Sequence, residues 1–137
     1  MKHFNYLTEA EKKEIFFIQP KGFSSTSDKN ILSFALGAAL YTPATHVHIA
    51  EDIISNKYPE RASAVFDLED AIGSEEVFAG IENLTKQFLL IKDAIKNGTL
   101  NEDHIPIMFL RVRDIEQFKE ILENVNQTYF RQSTSLQ

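Results

Sequence analysis

Three carboxylates and two guanidinium groups are the residues of this chain best equipped for chemistry. Asp67, Glu69 and Asp70 end the apolar stretch AVFDLEDAI, and Arg111 and Arg113 end the stretch IPIMFLRVR. An acidic strand end beside a basic one makes a site for an anionic substrate and a hard cation, with carboxylate oxygens as ligands. Strand alternation puts Asp67 and Glu69 on one face, Asp70 on the other, and Arg111 and Arg113 on a shared face. The same residue types also form structural salt-bridge networks and helix caps, so the pattern has a structural reading beside the functional one. Tyr41, Thr42 and Thr45 stand at the end of the first of three apolar runs, FALGAALYTPA, and complete the polar residues expected at one end of a sheet. His46 and His48 point some 200° apart if helical and cannot then share a metal, whereas in an extended segment they can. With Thr45 read as a helix cap, they become exposed first-turn residues. The chain has no Gly-rich phosphate loop, no nucleophile elbow and no Cys/His metal spacing.

Elements must hold these residues in place. Thr8 and Glu11 form a T-x-x-E capping box, which predicts a short helix from Thr8 that stops before Pro20. A polar loop, SSTSDKN, follows. From there an apolar run, a turn and a helical period recur three times. Thr45 is expected to cap a helix with Val47, Ala50, Ile53 and Ile54 inward. Ser74 opens the surest helix, with Val77, Ile81, Leu84, Phe88, Ile91 and Ile95 at helical spacing and Asn97-Gly98 as its end. Asp114 and Gln117 make another capping box before Ile115, Phe118, Leu122 and Val125. The expected organisation is an extension over residues 1–30, a βαβαβα portion over 31–130 and a frayed polar tail over 131–137. Both-faced apolar runs alternating with amphipathic helices give an α/β class with a parallel sheet. On pattern alone, a doubly wound sheet and part of a (β/α)₈ barrel both fit, although three units cannot close a barrel of about 250 residues.

Composition excludes several classes. With 137 residues, 43% of them hydrophobic and 11 of them Phe, the chain is one domain with a real core. The balance of 14 basic and 20 acidic residues, net -6, without a Lys/Arg run, speaks against a nucleic-acid partner. Cysteine is absent, and no apolar run approaches the roughly 20 residues of a membrane span. The expectation is a soluble, cytoplasmic protein without a membrane partner.

The segments ALYTPAT with IAEDII, then AVFDLEDAI, then IMFLRVR, resemble in order and spacing the first three βα units of the citrate lyase β-subunit-like proteins of the HpcH/HpaI aldolase superfamily. The leader FNYLTEAEKKEIFF, with SDKNILSFALGAALYTPAT, is most similar to a branch found in tellurium-resistance and stress gene clusters. The resemblance runs from residue 4 to about residue 125. It implies a partial (β/α)₈ TIM barrel and the making or breaking of carbon–carbon bonds in oxo or hydroxy acids or their acyl-CoA thioesters. It also implies Mg²⁺ as a Lewis acid that stabilises an enolate. Arg111 matches the catalytic arginine that holds the substrate's oxygens, and Thr42 and Thr45 match the turn bordering the substrate and its CoA-like portion. Glu69 and Asp70 match the acidic pair around the metal and its waters. Two departures stand out. His46 replaces an arginine common after PAT, and the direct metal ligands of the family lie on later strands that this chain lacks. The chain is therefore expected to be inactive alone. The alternative expectation is a non-catalytic α/β assembly module that joins itself or another subunit through an open sheet edge.

Overall fold

Three five-residue strands carry the fold: β1 (Ala39–Pro43), β2 (Ser63–Asp67) and β3 (Ile107–Arg111). The computed structural model describes residues 3–4, 6–24, 26–101 and 104–134, and of residues 125–134 the backbone. The strands are parallel in the order β1-β2-β3, with Tyr41, Val65 and Phe109 in one row and Pro43, Asp67 and Arg111 in the last. β2 is buried along its whole length, as a strand paired on both sides must be. Helices α3 (Ile49–Ile54), α4 (Val77–Lys96) and α5 (Ile115–Thr134) follow the strands in turn, with one 3₁₀ turn (Ser74–Glu76) leading into α4.

All three helices lie on one face. Ala64 and Phe66 of β2 share the main core with Ile49 and Ile53 of α3, Ile81, Leu84 and Ile91 of α4, and Ile121 of α5. The strand order explains this. Right-handed crossovers place every helix on the same side while the order advances without reversal, and the described strands contain no reversal. The sheet is singly wound, which is consistent with a section of a barrel wall and differs from the doubly wound alternative. The opposite face carries Tyr41, Val65 and Phe109, with Tyr41 and Phe109 exposed.

The extension covers the amino end of that second face. Its first helix, α1 (Glu9–Ile15), starts at the expected capping box of Thr8 and Glu11. A second helix, α2 (Lys29–Ala35), capped by Asp28, was not expected. It takes the first two residues of FALGAAL, and Gly37, at φ +58°, turns the chain out of it into β1. Phe23 and Ala35 pack on Ala62 with Leu32 and Ile107 against them, and Ser63 Oγ donates to the Leu36 carbonyl at 2.8 Å.

Other expectations change as well. Thr45 does not cap α3: His48 holds that position without a side-chain cap bond, and Val47 is exposed. His46 and His48 therefore precede the helix. On α5 the inward residues are Gln117 and Ile121, while Ile115, Phe118 and Leu122 are exposed. The side chain of Val125 lies outside the described residues. The backbone of α5 continues to Thr134 through most of the expected polar tail, whose residues 135–137 lie outside the described residues. By contrast α4 keeps its predicted face, and Gly98, at φ +75°, follows its end.

Candidate functional site

β2 and β3 end side by side, with Asp67 opposite Arg111 in the register. One residue later the chain leaves the strand, because Asp67 Oδ1 accepts the Glu69 amide at 2.8 Å and folds the backbone over an Asx turn. That turn cancels strand alternation. Asp70, expected on the far face, comes round to the same guanidinium as its neighbours. Arg111 Nη1 meets Asp67 Oδ2 at 3.3 Å, Nε meets Glu69 Oε2 at 2.7 Å, and Nη2 meets Asp70 Oδ2 at 2.6 Å. Every nitrogen of the guanidinium is engaged, and three acids face one base.

Solvent divides the three acids. The Asp67 side chain is 4% exposed, whereas those of Glu69 and Asp70 are 40% and 70% exposed. A buried carboxylate needs its partner, so Asp67 and Arg111 form the fixed part of the cluster. Glu69 and Asp70 are held from the water side and can be exchanged. The Asp70 hydrogen bond raises the Arg111 pKa above its usual value against the opposing effect of burial, and the fields of Asp70, Glu69 and Asp67 add to it.

Arg113 does something different from Arg111, although alternation put them on one face. β3 stops at Arg111, and Arg113 turns back under the β2 loop. Its Nε donates to the Leu68 carbonyl at 3.0 Å, Nη2 donates to the carbonyls of Glu69 and Ile72, and Nη1 donates to Ser74 Oγ at 2.8 Å. It braces the loop that presents Glu69 and Asp70. Leu68 and Ile72 anchor the same loop in the core, and α4 rests on it at Gly80. A Cβ there would lie 3.0 Å from Leu68, 3.2 Å from Ala44 and 3.2 Å from Ile72, so the close approach depends on glycine.

The threonines do not join Arg111. Thr42 pairs with Phe66, one row back from Arg111, and lies on the helix-covered face. There it lines a separate cleft with His46 and Asp52. Thr45 sits in the turn after β1, half-buried. This turn is held by two α4 side chains that the sequence reading missed. Asn83 Nδ2 donates to the Ala44 and His46 carbonyls at 2.7 and 2.9 Å. Gln87 Oε1 accepts the Ala50 amide at 2.8 Å while its Nε2 donates to the Val47 carbonyl. A polar residue at a core position of a strongly periodic helix was the available signal. His46 Nε2 lies 3.3 Å from Asp52 Oδ2, and His48 Nδ1 lies 2.7 Å from Glu51 Oε2.

Among the described residues no group of three or more His, Asp or Glu side chains is arranged to hold a metal ion. Asp67, Glu69 and Asp70 turn oxygens towards Arg111 instead. This geometry does not fit direct ligation of Mg²⁺ by the described residues. No described helix is long and apolar enough to cross a membrane.

No curated protein and no solved structure matches the chain. A family model does: residues 30–132, well over half of the chain and spanning all three strands, match the C–C bond lyases of the TIM-barrel fold. The parallel, singly wound sheet with its polar residues gathered where β2 and β3 end agrees with that match, and the chain belongs to the family of C–C bond lyases of the TIM-barrel fold.

Proposed function

We propose that the described residues form the substrate-holding part of a carbon–carbon lyase site of the citrate lyase β-subunit type, acting on 2-oxo or hydroxy acids or their acyl-CoA thioesters. The carrying observation is Arg111 at the end of β3, ringed by Asp67, Glu69 and Asp70. Asp67 keeps the guanidinium aimed from the buried side. The substrate's carboxylate takes the place of the exposed Glu69 and Asp70 on Nε and Nη2, a bidentate pairing that arginine favours. The released carboxylates then face solvent beside the bound anion. In that position they suit the water shell of a cation better than its inner sphere, so Mg²⁺ belongs to the proposal only as a group held elsewhere. Held in this way, the oxygens that gain charge as a carbon–carbon bond breaks lie against a guanidinium already in place. Thr45 and the turn 44–48 border the same end of the sheet. For the 137 residues by themselves we propose binding with little turnover.

The test is calorimetric titration of the chain with pyruvate, with and without Mg²⁺, beside Arg111→Gln. Saturable binding weakened at least about tenfold by Arg111→Gln supports the reading, since a charged hydrogen bond contributes roughly 1.5–3 kcal/mol. Binding that is absent, or indifferent to the substitution, sinks it.

A second reading has its own observation. β3 pairs with β2 alone among the described strands, and Met108 and Phe109 on it are each 41% exposed. An open apolar edge of this kind is a template for another strand, which favours a non-catalytic assembly module.

A further inference from the structure

A cleft of about 220 Å³ opens on the helix-covered face, between β1 and α3. It lies away from Arg111, which the register places on the opposite face. Its inner wall is apolar, made by Leu40, Ile53 and Phe66, with Thr42 beside them. Its mouth is made by Tyr58 and Arg61 from the loop that joins α3 to β2.

Arg61 is the unexplained group here. Its Nε is enclosed by protein and has no hydrogen-bond partner in the structure, a rare condition for a buried donor, so it is the remainder of the side chain that lines the cleft. The guanidinium carbon lies 5.6 Å from the centre of the Tyr58 ring, a contact that gives Nε no acceptor. Asp52 is the neighbouring carboxylate and also lines the cleft, but each of its oxygens is turned to another partner. Oδ1 accepts from Lys57 Nζ at 2.8 Å, and Oδ2 faces His46 Nε2 at 3.3 Å. Burial lowers the Arg61 pKa, and Asp52 and Tyr58 counter this only through their fields.

We propose that this cleft binds a small carboxylate with a short apolar body, the carboxylate on Arg61 and the body against Leu40, Ile53 and Phe66. A single guanidinium with no second cation free on its own rim matches a monoanion, and its planar fork matches a carboxylate. The wall of Leu40, Ile53 and Phe66 offers contact to a hydrocarbon part that a bare inorganic anion lacks. Size limits that part, because the cleft is smaller than the roughly 300–1,000 Å³ of drug-sized ligand sites. The site does not rest on the lyase reading and stands or falls apart from it.

The experiment uses the full chain and butanoate as probe, with inorganic phosphate and butanol as controls. Butanoate is expected to bind saturably, to shift the Arg61 Nε–H resonance and the amides of Leu40 and Ile53, and to outcompete either control. Arg61→Gln should weaken it about tenfold or more, whereas Arg111→Gln should leave it unchanged. The Arg61 resonance of the unsubstituted protein keeps the test valid if the variant folds poorly. An Arg61 resonance indifferent to butanoate overturns the proposal. So does butanoate binding that is lost with Arg111→Gln and kept with Arg61→Gln, an outcome that would favour the lyase reading.

Discussion

Arg111 and Arg113 stand two positions apart and look interchangeable in the sequence, yet they have separate tasks. One collects three side-chain carboxylates, and the other binds three backbone carbonyls and a serine hydroxyl. The sequence reading singled out these five charged residues but placed them by alternation, a rule that ends where a strand ends. What it lacked was the Asx turn at Asp67, which redirects Asp70. The division of labour makes a prediction. Arg113→Ala should lower stability by about 1–2 kcal/mol through the lost loop bonds, read as a shifted midpoint in urea without a change in slope. Arg111→Gln should shift that midpoint less and remove pyruvate binding instead. Equal loss of stability in both variants would show that the two arginines share one structural role.

At the level of elements, periodicity succeeded where a helix packs by its own face and failed where a distant side chain sets the geometry. The long helix α4 was legible because its apolar residues repeat at helical spacing. The start of α3 was not, because no nearby side chain caps it and Gln87, 37 residues away, takes the Ala50 amide instead. The inward face of α5 shifts for a related reason. Gln117 accepts the Arg113 amide at 2.8 Å, and its own amide donates to Asp114 Oδ1, which turns Ile121 to the core and Ile115 to solvent. Gln87→Leu should therefore cost about 2–3 kcal/mol, since it leaves the Ala50 amide and the Val47 carbonyl unpaired. Its hydrogen-exchange signature should be lost protection at residues 47–50 before any loss in α4. At the other side of α3, burial would raise the Asp52 pKa, but the hydrogen bonds from Lys57 and His46 outweigh it and the net shift is downward. A carboxyl lowered on folding adds stability above its unfolded pKa, near 3.9, and loses it as the pH falls through the folded value. Asp52→Asn should thus narrow the stability difference between pH 7 and pH 3 relative to the unsubstituted chain. An unchanged difference would remove Asp52 from the acid response.

For the molecule as a whole, the singly wound sheet leaves β1 and β3 as its outer described strands, and the extension covers only the amino end of the second face. The class and the parallel order were legible in the sequence. The covering of that end was not, because α2 starts in the polar stretch that reads as a loop and ends two residues into the apolar run that reads as strand. The two outer strands make different assemblies. Joining β3 to a second β3 is isologous and antiparallel, and it closes at two copies. Joining β3 to β1 of another copy is heterologous and continues as an open series. Exposure favours neither outright, since Met108 and Phe109 are each 41% exposed and Tyr41 is 58% exposed. Charge at the edge separates them, because a lysine on an edge strand resists pairing. Phe109→Lys should abolish either assembly, whereas Tyr41→Lys should abolish only the open series. Sedimentation velocity over a concentration series reads the result: a plateau at the dimer that survives Tyr41→Lys assigns β3–β3 pairing, and a growing ladder that Tyr41→Lys removes assigns β1–β3 pairing. A chain that stays monomeric throughout, with Phe109→Lys indistinguishable from it, would eliminate the assembly reading and leave the Arg111 cluster as the basis of its function.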